Sequence, residues 1–504
     1  MDPLTYGRAL TGIALAVHIT LAVPGIGLPL FIAIAHFVGL RRRDPHWMAL
    51  ADQWTRLFAI LFPIGAVTGT LLPVLLVVLW PVFMQIVGEV GVLPMFVEGF
   101  AFFIEAIFLG LYLYGREKLH PWVHWATSLP LVLGSAASAF LITTVNAWMQ
   151  TPTGFHLEDG KVSAADPMAA MFNPSTWVET GHVLVTTYLT VAFFIAGWLA
   201  WQSLRHPNRV PRPVLRKGVA LALVVGFISA AGAAGTGHLS AQSLAVRQPL
   251  KLAAIEALFD TEGNAPLTIG GWPDPETGRV IGGIEIPSLL SIMVYGPGGA
   301  DGVIKGLRDF PRELWPPLIV HLTFDLMVGI GILLLVIPLL YWAGNWLTRR
   351  RQTAQAPRTA TSAATSPDAN LGVASMSSSD HLPPMLEKGW FQWLLAASGP
   401  LAFVAMQSGW LTTELGRQPW MLYEKLTVAA AFTTADYVPA LFWAMMVGYA
   451  IIVGVAVLLL RRVLARHDLA AELERAGRTL VRVVEATTGS GARQPGQPAV
   501  PTQP

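Results

Sequence analysis

Nine predominantly apolar stretches, each long enough to cross a bilayer, constrain this chain more than any other feature of it. A hydrocarbon core of about 30 Å takes about 20 apolar residues as a helix. In lipid, only a helix or a closed barrel satisfies its own backbone. The stretches run at about 9–38, 55–79, 93–114, 122–145, 181–201, 218–237, 317–342, 390–410 and 438–460. At 53% hydrophobic and 13% charged over 504 residues, the chain is too apolar for a soluble domain of its size. The fold expected is all-α, a polytopic membrane helix bundle with about nine transmembrane helices. No cleavable signal peptide is expected, because the first apolar stretch is too long for one and holds no small-residue cleavage site.

The charges sort by side. Arg41-Arg42-Arg43 follows the first stretch, Arg116-Glu117-Lys118 the third, and Arg205, Arg209, Arg212, Arg216 and Lys217 the fifth. Arg349-Arg350-Arg351 follows the seventh and Arg461-Arg462 with Arg466 the ninth, whereas the connection between the second and third has no Lys or Arg. The positive-inside rule then puts the N-terminus outside and the C-terminus in the cytoplasm. Residues 1–237 would carry helices 1–6, 238–316 a folded outer loop with turns such as Gly270-Gly271, and 317–348 helix 7. Residues 349–388, rich in Ser, Ala, Thr and Pro, would form a disordered cytoplasmic linker, and 389–463 helices 8 and 9. Residues 464–504 would hold a basic amphipathic helix (about 461–485) at the inner surface, then a tail.

With no cysteine, the chain has no disulfide, thiolate metal site, iron–sulfur cluster or c-type haem attachment, so any metal or haem must hang on His, Met or carboxylate. Ionisable residues at membrane depth are functional candidates by default. His18 stands among Leu, Val and Ile in the first stretch; a lone histidine there is more often a hydrogen-bonded core residue than a ligand. His182 lies near the start of the fifth stretch and Met327 in the outer half of the seventh, and a His facing a Met is a low-spin haem ligand set. Glu98 and Glu105 share one face of a helix, roughly 10 Å apart along its axis, as a proton relay or metal ligands would. Asp325 is a further acid whose plain reading is a partner for Arg8 or another cation. The run Gln248 to Glu256 opens a short helix bearing Lys251 and Glu256, either a solvated surface helix or a polar clamp for the head group of a lipid-soluble ligand. The eighth stretch closes on Trp410, Glu414 and Arg417, with Pro419 and Trp420 beyond. In the orientation given, His18, Glu98, His182, Met327 and Glu414 fall in the outer half, beneath the loop with Lys251 and Glu256.

These residues carry a resemblance. Arg8 with His18, Glu98-Gly99 to Glu105, Asn146-Ala147-Trp148-Met149-Gln150-Thr151-Pro152, His182 after Asn173-Pro174, Gln248 to Glu256, Met327, and Glu414 with Gly416-Arg417-Gln418-Pro419-Trp420 stand in the order found in subunit I of cytochrome bd-type quinol oxidases. The chain resembles that family over nearly its whole length. The resemblance implies a quinol:oxygen oxidoreductase with three haems, generating a proton-motive force without pumping. His182 and Met327 would hold a low-spin haem b reduced by quinol bound near Gln248, Lys251 and Glu256. His18 and Glu414 would hold a high-spin haem b and a haem d (or a third haem b), with Glu98 adjacent and Trp410, Arg417 and Arg8 in support. Glu105 and Ser138 would lie on the proton route. The partners implied are subunit II, a small single-span accessory subunit, quinol, O2 and membrane lipid, with no nucleic acid. Against the family pattern, the two glutamates are one residue closer, Ala106 replaces a Ser, Asp325 replaces an Arg, and the outer loop is of the short type.

Two other classes compete. A proton-coupled transporter would use Glu98 and Glu105 but leaves His182, Met327 and the Lys251/Glu256 helix unexplained, and the chain lacks the repeat such carriers show. A haem-bearing electron-transfer anchor would have no use for His18 with Glu414.

Overall fold

The computed structural model describes residues 2–158, 160–207, 209–355, 381–466, 469 and 472–477. Among them nine helices are long and apolar enough to cross a membrane. They are α1 (Pro3–Arg42), α2 (Pro45–Leu79), α3 (Pro81–Gly115), α4 (Pro121–Gln150), α5 (Thr176–Arg205) and α6 (Arg212–Arg247), then, after a short α7 (Pro249–Ile255), α8 (Ile319–Gln355), α9 (Gly389–Gly416) and α10 (Val438–Arg466). Proline starts five of these elements, α1 to α4 and α7, at the position where its missing N–H costs nothing. Asp2 and Asp44 cap α1 and α2 by accepting from the backbone N–H of Thr5 and His46.

Several helices extend beyond the hydropathy reading: α2 starts at Pro45 rather than about 55, and α3 at Pro81 rather than about 93. α6 continues ten residues past Gly237 to Arg247, since nothing between them breaks a helix and Pro249 then begins the next one. α8 carries through Arg349-Arg350-Arg351 to Gln355, because a helix need not stop where hydropathy does. The linker expected at 349–388 is therefore helical at its start, and its remainder up to residue 380 lies outside the described residues, as does the tail. Of the amphipathic helix expected at 461–485, residues 461–466 instead continue α10, and beyond them 469 and 472–477 are described and helical. Ala476 there is buried with Leu40, Met48 and Ala49, and Arg56 pairs with Glu472 at 2.8 Å.

α1 packs along α2, α3 along α4, α5 between α6 and α9, and α8 against α9 and α6, while α10 lies on α1 and α2. Because the helices alternate in direction, the arginine clusters share one side, the linker side, and residues 248–318 lie on the other, the loop side. That loop has its own apolar core of Leu250, Ile255, Phe259, Leu290, Ile304 and Leu307. Its centre is one long hairpin in two tiers, Leu267–Ile269 with Ile284–Ile286 and Trp272–Asp274 with Arg279–Ile281. Gly270-Gly271, expected as a turn, instead forms the kink between tiers, with φ of +67° and +84°. The turn itself is Asp274 to Gly278.

Candidate haem and quinol site

Two histidines are held in the same way. On α5, His182 Nδ1 lies 2.9 Å from the Thr236 hydroxyl of α6, and that hydroxyl donates to the Gly232 carbonyl at 2.8 Å. On α1, His18 Nδ1 lies 3.0 Å from the Thr68 hydroxyl of α2, which donates to Gly65 at 2.9 Å. Each hydroxyl has spent its one hydrogen, so it accepts from Nδ1–H, and Nε2 is left with its lone pair. A glycine follows each threonine. A Cβ on Gly69 would come within 2.9 Å of the His18 ring, and one on Gly237 within 3.6 Å of the His182 ring. The threonine partners were not anticipated; the Thr-Gly pairs 68–69 and 236–237, set in apolar helices, were the available signal.

α9 is the common neighbour of the other candidates. Gly409 gives Met327 of α8 its room, since a Cβ there would lie 2.8 Å from the sulfur. Gln407 donates to the Ala16 carbonyl at 3.0 Å, joining α9 to α1 two residues before His18. Glu414 accepts from Asn146 of α4 and from Arg417, both at 2.7 Å. Arg417 is 2% exposed, and its Nη1 is buried without a partner among the described residues. Trp410 packs partly buried against the main core. Arg8 is exposed on α1.

On α3, Glu98 accepts from Ser138 of α4 at 2.6 Å, so the serine serves the first glutamate, while Glu105 is buried against Gly134. Further toward the linker side stands a polar cluster that was not anticipated. The Tyr112 hydroxyl is 2.8 Å from His36 Nδ1, His124 Nε2 is 2.7 Å from the Tyr112 carbonyl, and Arg116 pairs with Asp52 at 2.5 Å.

Lys251 and Glu256 do not converge on one point. Five residues turn a helix by roughly 140° beyond a full turn, and the two side chains take different neighbours. Lys251 reaches inward, bonding Gln150 at 3.0 Å and packing against Gly416. Burial pushes its pKa down, while the Glu179 carboxylate pulls the other way. Gln248 also bonds Gln150, tying α7 to the end of α4. Glu256, 4% exposed, lies on the other side, where burial and then the charge of Asp325 push its pKa up to about 8. Asp325 accepts from the Gly270 N–H at 2.5 Å and stands 3.4 Å from His321, so its neighbour is His321 and not Arg8. Outside α7, a cleft of about 280 Å³ opens between Pro249, Leu252, Tyr295 and Lys305.

Haem fits this set of donors. Two imidazoles offer a free Nε2, one thioether lies in a glycine cradle, and a buried guanidinium nitrogen without a partner suits a propionate. Among the described residues no three His, Asp or Glu side chains gather as a bare ion requires, and a porphyrin iron asks only for axial donors.

Residues 6–468 match the family described as cytochrome bd terminal oxidase subunit I. A putative cytochrome bd menaquinol oxidase subunit I of Bacillus subtilis (strain 168) is 35% identical over 478 residues, covering 94% of this chain and 100% of the relative. Cytochrome bd ubiquinol oxidase subunit 1 of the same organism is 28% identical over 424 residues, 82% of each. The structure of bd oxidase from Geobacillus thermodenitrificans superposes with a TM-score of 0.80 at 39% identity, covering 92% of this chain and 99% of that one.

Proposed function

This chain belongs to the cytochrome bd terminal oxidase subunit I family, a multi-pass bacterial membrane protein of respiratory electron transport, and we propose that it oxidises quinol on its loop side and reduces O2 to water within the bundle. In this reading His182 and Met327 hold the low-spin haem b. His18 and Glu414 hold a high-spin haem b and a haem d or third haem b, one each. Bound there, the haems would supply one-electron transfer and the reduction of O2. The protein's own residues orient and protonate. Thr236 and Thr68 fix the imidazole tautomers, Arg417 neutralises a propionate, and Glu256 takes a proton from quinol.

The observation that carries the reading is the paired His–Thr arrangement, because a histidine kept only for packing has no reason to present Nε2 unbonded twice over. The arginine clusters support a cytoplasmic linker side. Protons for water would then be taken up from that side through Asp52, His36, Tyr112, Glu105 and Glu98, while quinol releases its protons outside. Charge separates across the membrane with no pump. Family membership implies a second subunit, and the apolar faces of α3 (Phe96, Phe100, Phe103) and α10 (Val447, Ile451) are exposed for such a partner or for lipid.

A reduced-minus-oxidised spectrum of membranes carrying the assembled oxidase tests this reading. Bands of a low-spin b haem together with a high-spin centre are expected, and a far-red band would make the third haem a d. Low-spin b bands alone would leave an electron-transfer anchor; no haem at all would leave a carrier. Gly409→Ala supplies a finer check. Its methyl must displace the Met327 sulfur, so the low-spin α-band should weaken or shift while the other bands stay, and an unchanged spectrum would remove Met327 from the ligand set.

A further inference from the structure

We propose that His321 is a positioning residue for quinol oxidation, fastening the end of α7, and with it Glu256, to the helix that carries Met327. The proposal rests on the reading of Glu256 given above. His321 is fully buried near the start of α8, and both of its ring nitrogens are taken. Nδ1 lies 2.8 Å from the carbonyl of Ile255, the last residue of α7 and the neighbour of Glu256. Nε2 lies 3.1 Å from the carbonyl of Gly270 in the kink of the loop hairpin. Both partners are carbonyl oxygens, so each ring nitrogen faces an acceptor, and the Asp325 carboxylate stands 3.4 Å away. In contrast to His18 and His182, this histidine has no nitrogen left for iron or for a proton in transit.

The contacts made show what it does instead. Carbonyls in the last turn of a helix lack intrahelical partners, and His321 satisfies the one at the end of α7. Gly270 is gripped by both of its backbone groups, its carbonyl by His321 and its N–H by Asp325 one helical turn on. Its φ of +67° is one that a residue with a side chain rarely adopts. Glu256 has no hydrogen-bond donor at its carboxylate among the described residues, so its direction comes from the backbone that His321 holds. A shift of about 1 Å in a reacting group costs up to about 10²-fold in rate.

The test uses the assembled oxidase with three substitutions. His321→Phe removes both ties. His321→Asn keeps a donor near the Nδ1 position, toward Ile255, and His321→Gln keeps one near Nε2, toward Gly270. We expect kcat/KM for quinol to fall about tenfold or more in His321→Phe, to recover largely in His321→Asn and to stay low in His321→Gln. All haem bands should be retained, and oxygen uptake from an artificial donor that bypasses the quinol site should be unchanged. Unchanged quinol kinetics in His321→Phe, better rescue by Gln than by Asn, or loss of the low-spin haem would each overturn the proposal. Glu256→Gln is measured in parallel. If it is slow while His321→Phe is normal, the positioning role alone fails. If it oxidises quinol at full rate, the underlying assignment fails and takes the proposal with it.

Discussion

Replacing His182 with alanine is expected to abolish the low-spin haem b spectrum while leaving the bands assigned to the His18 and Glu414 centres. In this reading the imidazole is one of two side chains that would hold the haem, and the Met327 thioether is too weak a ligand to keep it by itself. Quinol-driven oxygen uptake should fall to near zero, because electrons then have no carrier between the loop side and the oxygen site. The second half of the prediction separates ligation from packing. Thr236→Val keeps the shape of the residue but leaves Nδ1–H without its acceptor, so ring orientation and ligand basicity change while the imidazole remains. Loss of such an outer partner typically costs about 10- to 100-fold in metal affinity or activity. Thr236→Val should therefore give a shifted or partly depleted low-spin band, between wild type and His182→Ala. A complete low-spin spectrum in His182→Ala would remove this residue from the ligand set, and a wild-type spectrum in Thr236→Val would show that the hydroxyl does not tune it.

The nine helices and the arginine bias were legible because both follow from transfer energies summed along a stretch, with no tertiary information needed. Helix ends were less legible. α6 and α8 overran their apolar segments since helix formation and bilayer insertion are separate constraints. Within the site, residues that are costly to bury announced themselves: Glu98, Glu105, Glu414 and Arg417 stand out in apolar surroundings. Their partners did not. Thr68 and Thr236 are cheap in a membrane helix, where a hydroxyl can bond its own backbone, so only pairing across helices shows their role. Ser138 was placed with the second glutamate of α3 and bonds the first. Lys251 and Glu256 read as one clamp on a linear count, whereas the helix sends one inward to Gln150 and the other toward Asp325. His321 was passed over because its two partners, Ile255 and Gly270, are backbone carbonyls 66 and 51 residues away.

The separation of Lys251 from Glu256 leads to the second large effect, a change in pH dependence. Glu256 is buried, and Asp325 adds a negative charge nearby, so its pKa stands at about 8 against an ordinary value of 4.5. Below pH 8 the carboxyl is mostly protonated and cannot take a proton from quinol; above it, the carboxylate is available. Wild-type quinol oxidation should accordingly rise as pH increases through about 8. Glu256→Gln keeps the size and polarity of the side chain and removes the proposed base. The expected loss is about 10²-fold, the lower end of what a positioned general base contributes, and the rise through pH 8 should disappear. Asp325→Asn supplies the sign check. Withdrawing its charge lowers the Glu256 pKa, so the rise should move to lower pH, though burial, the larger cause, keeps it above that of an exposed glutamate. The measurement is steady-state oxygen uptake against pH at saturating quinol, with haem content verified in each variant. A Glu256→Gln profile that still rises through pH 8 would assign the base to another group, with Lys251 the first to examine, because burial shifts its pKa too, in its case downward.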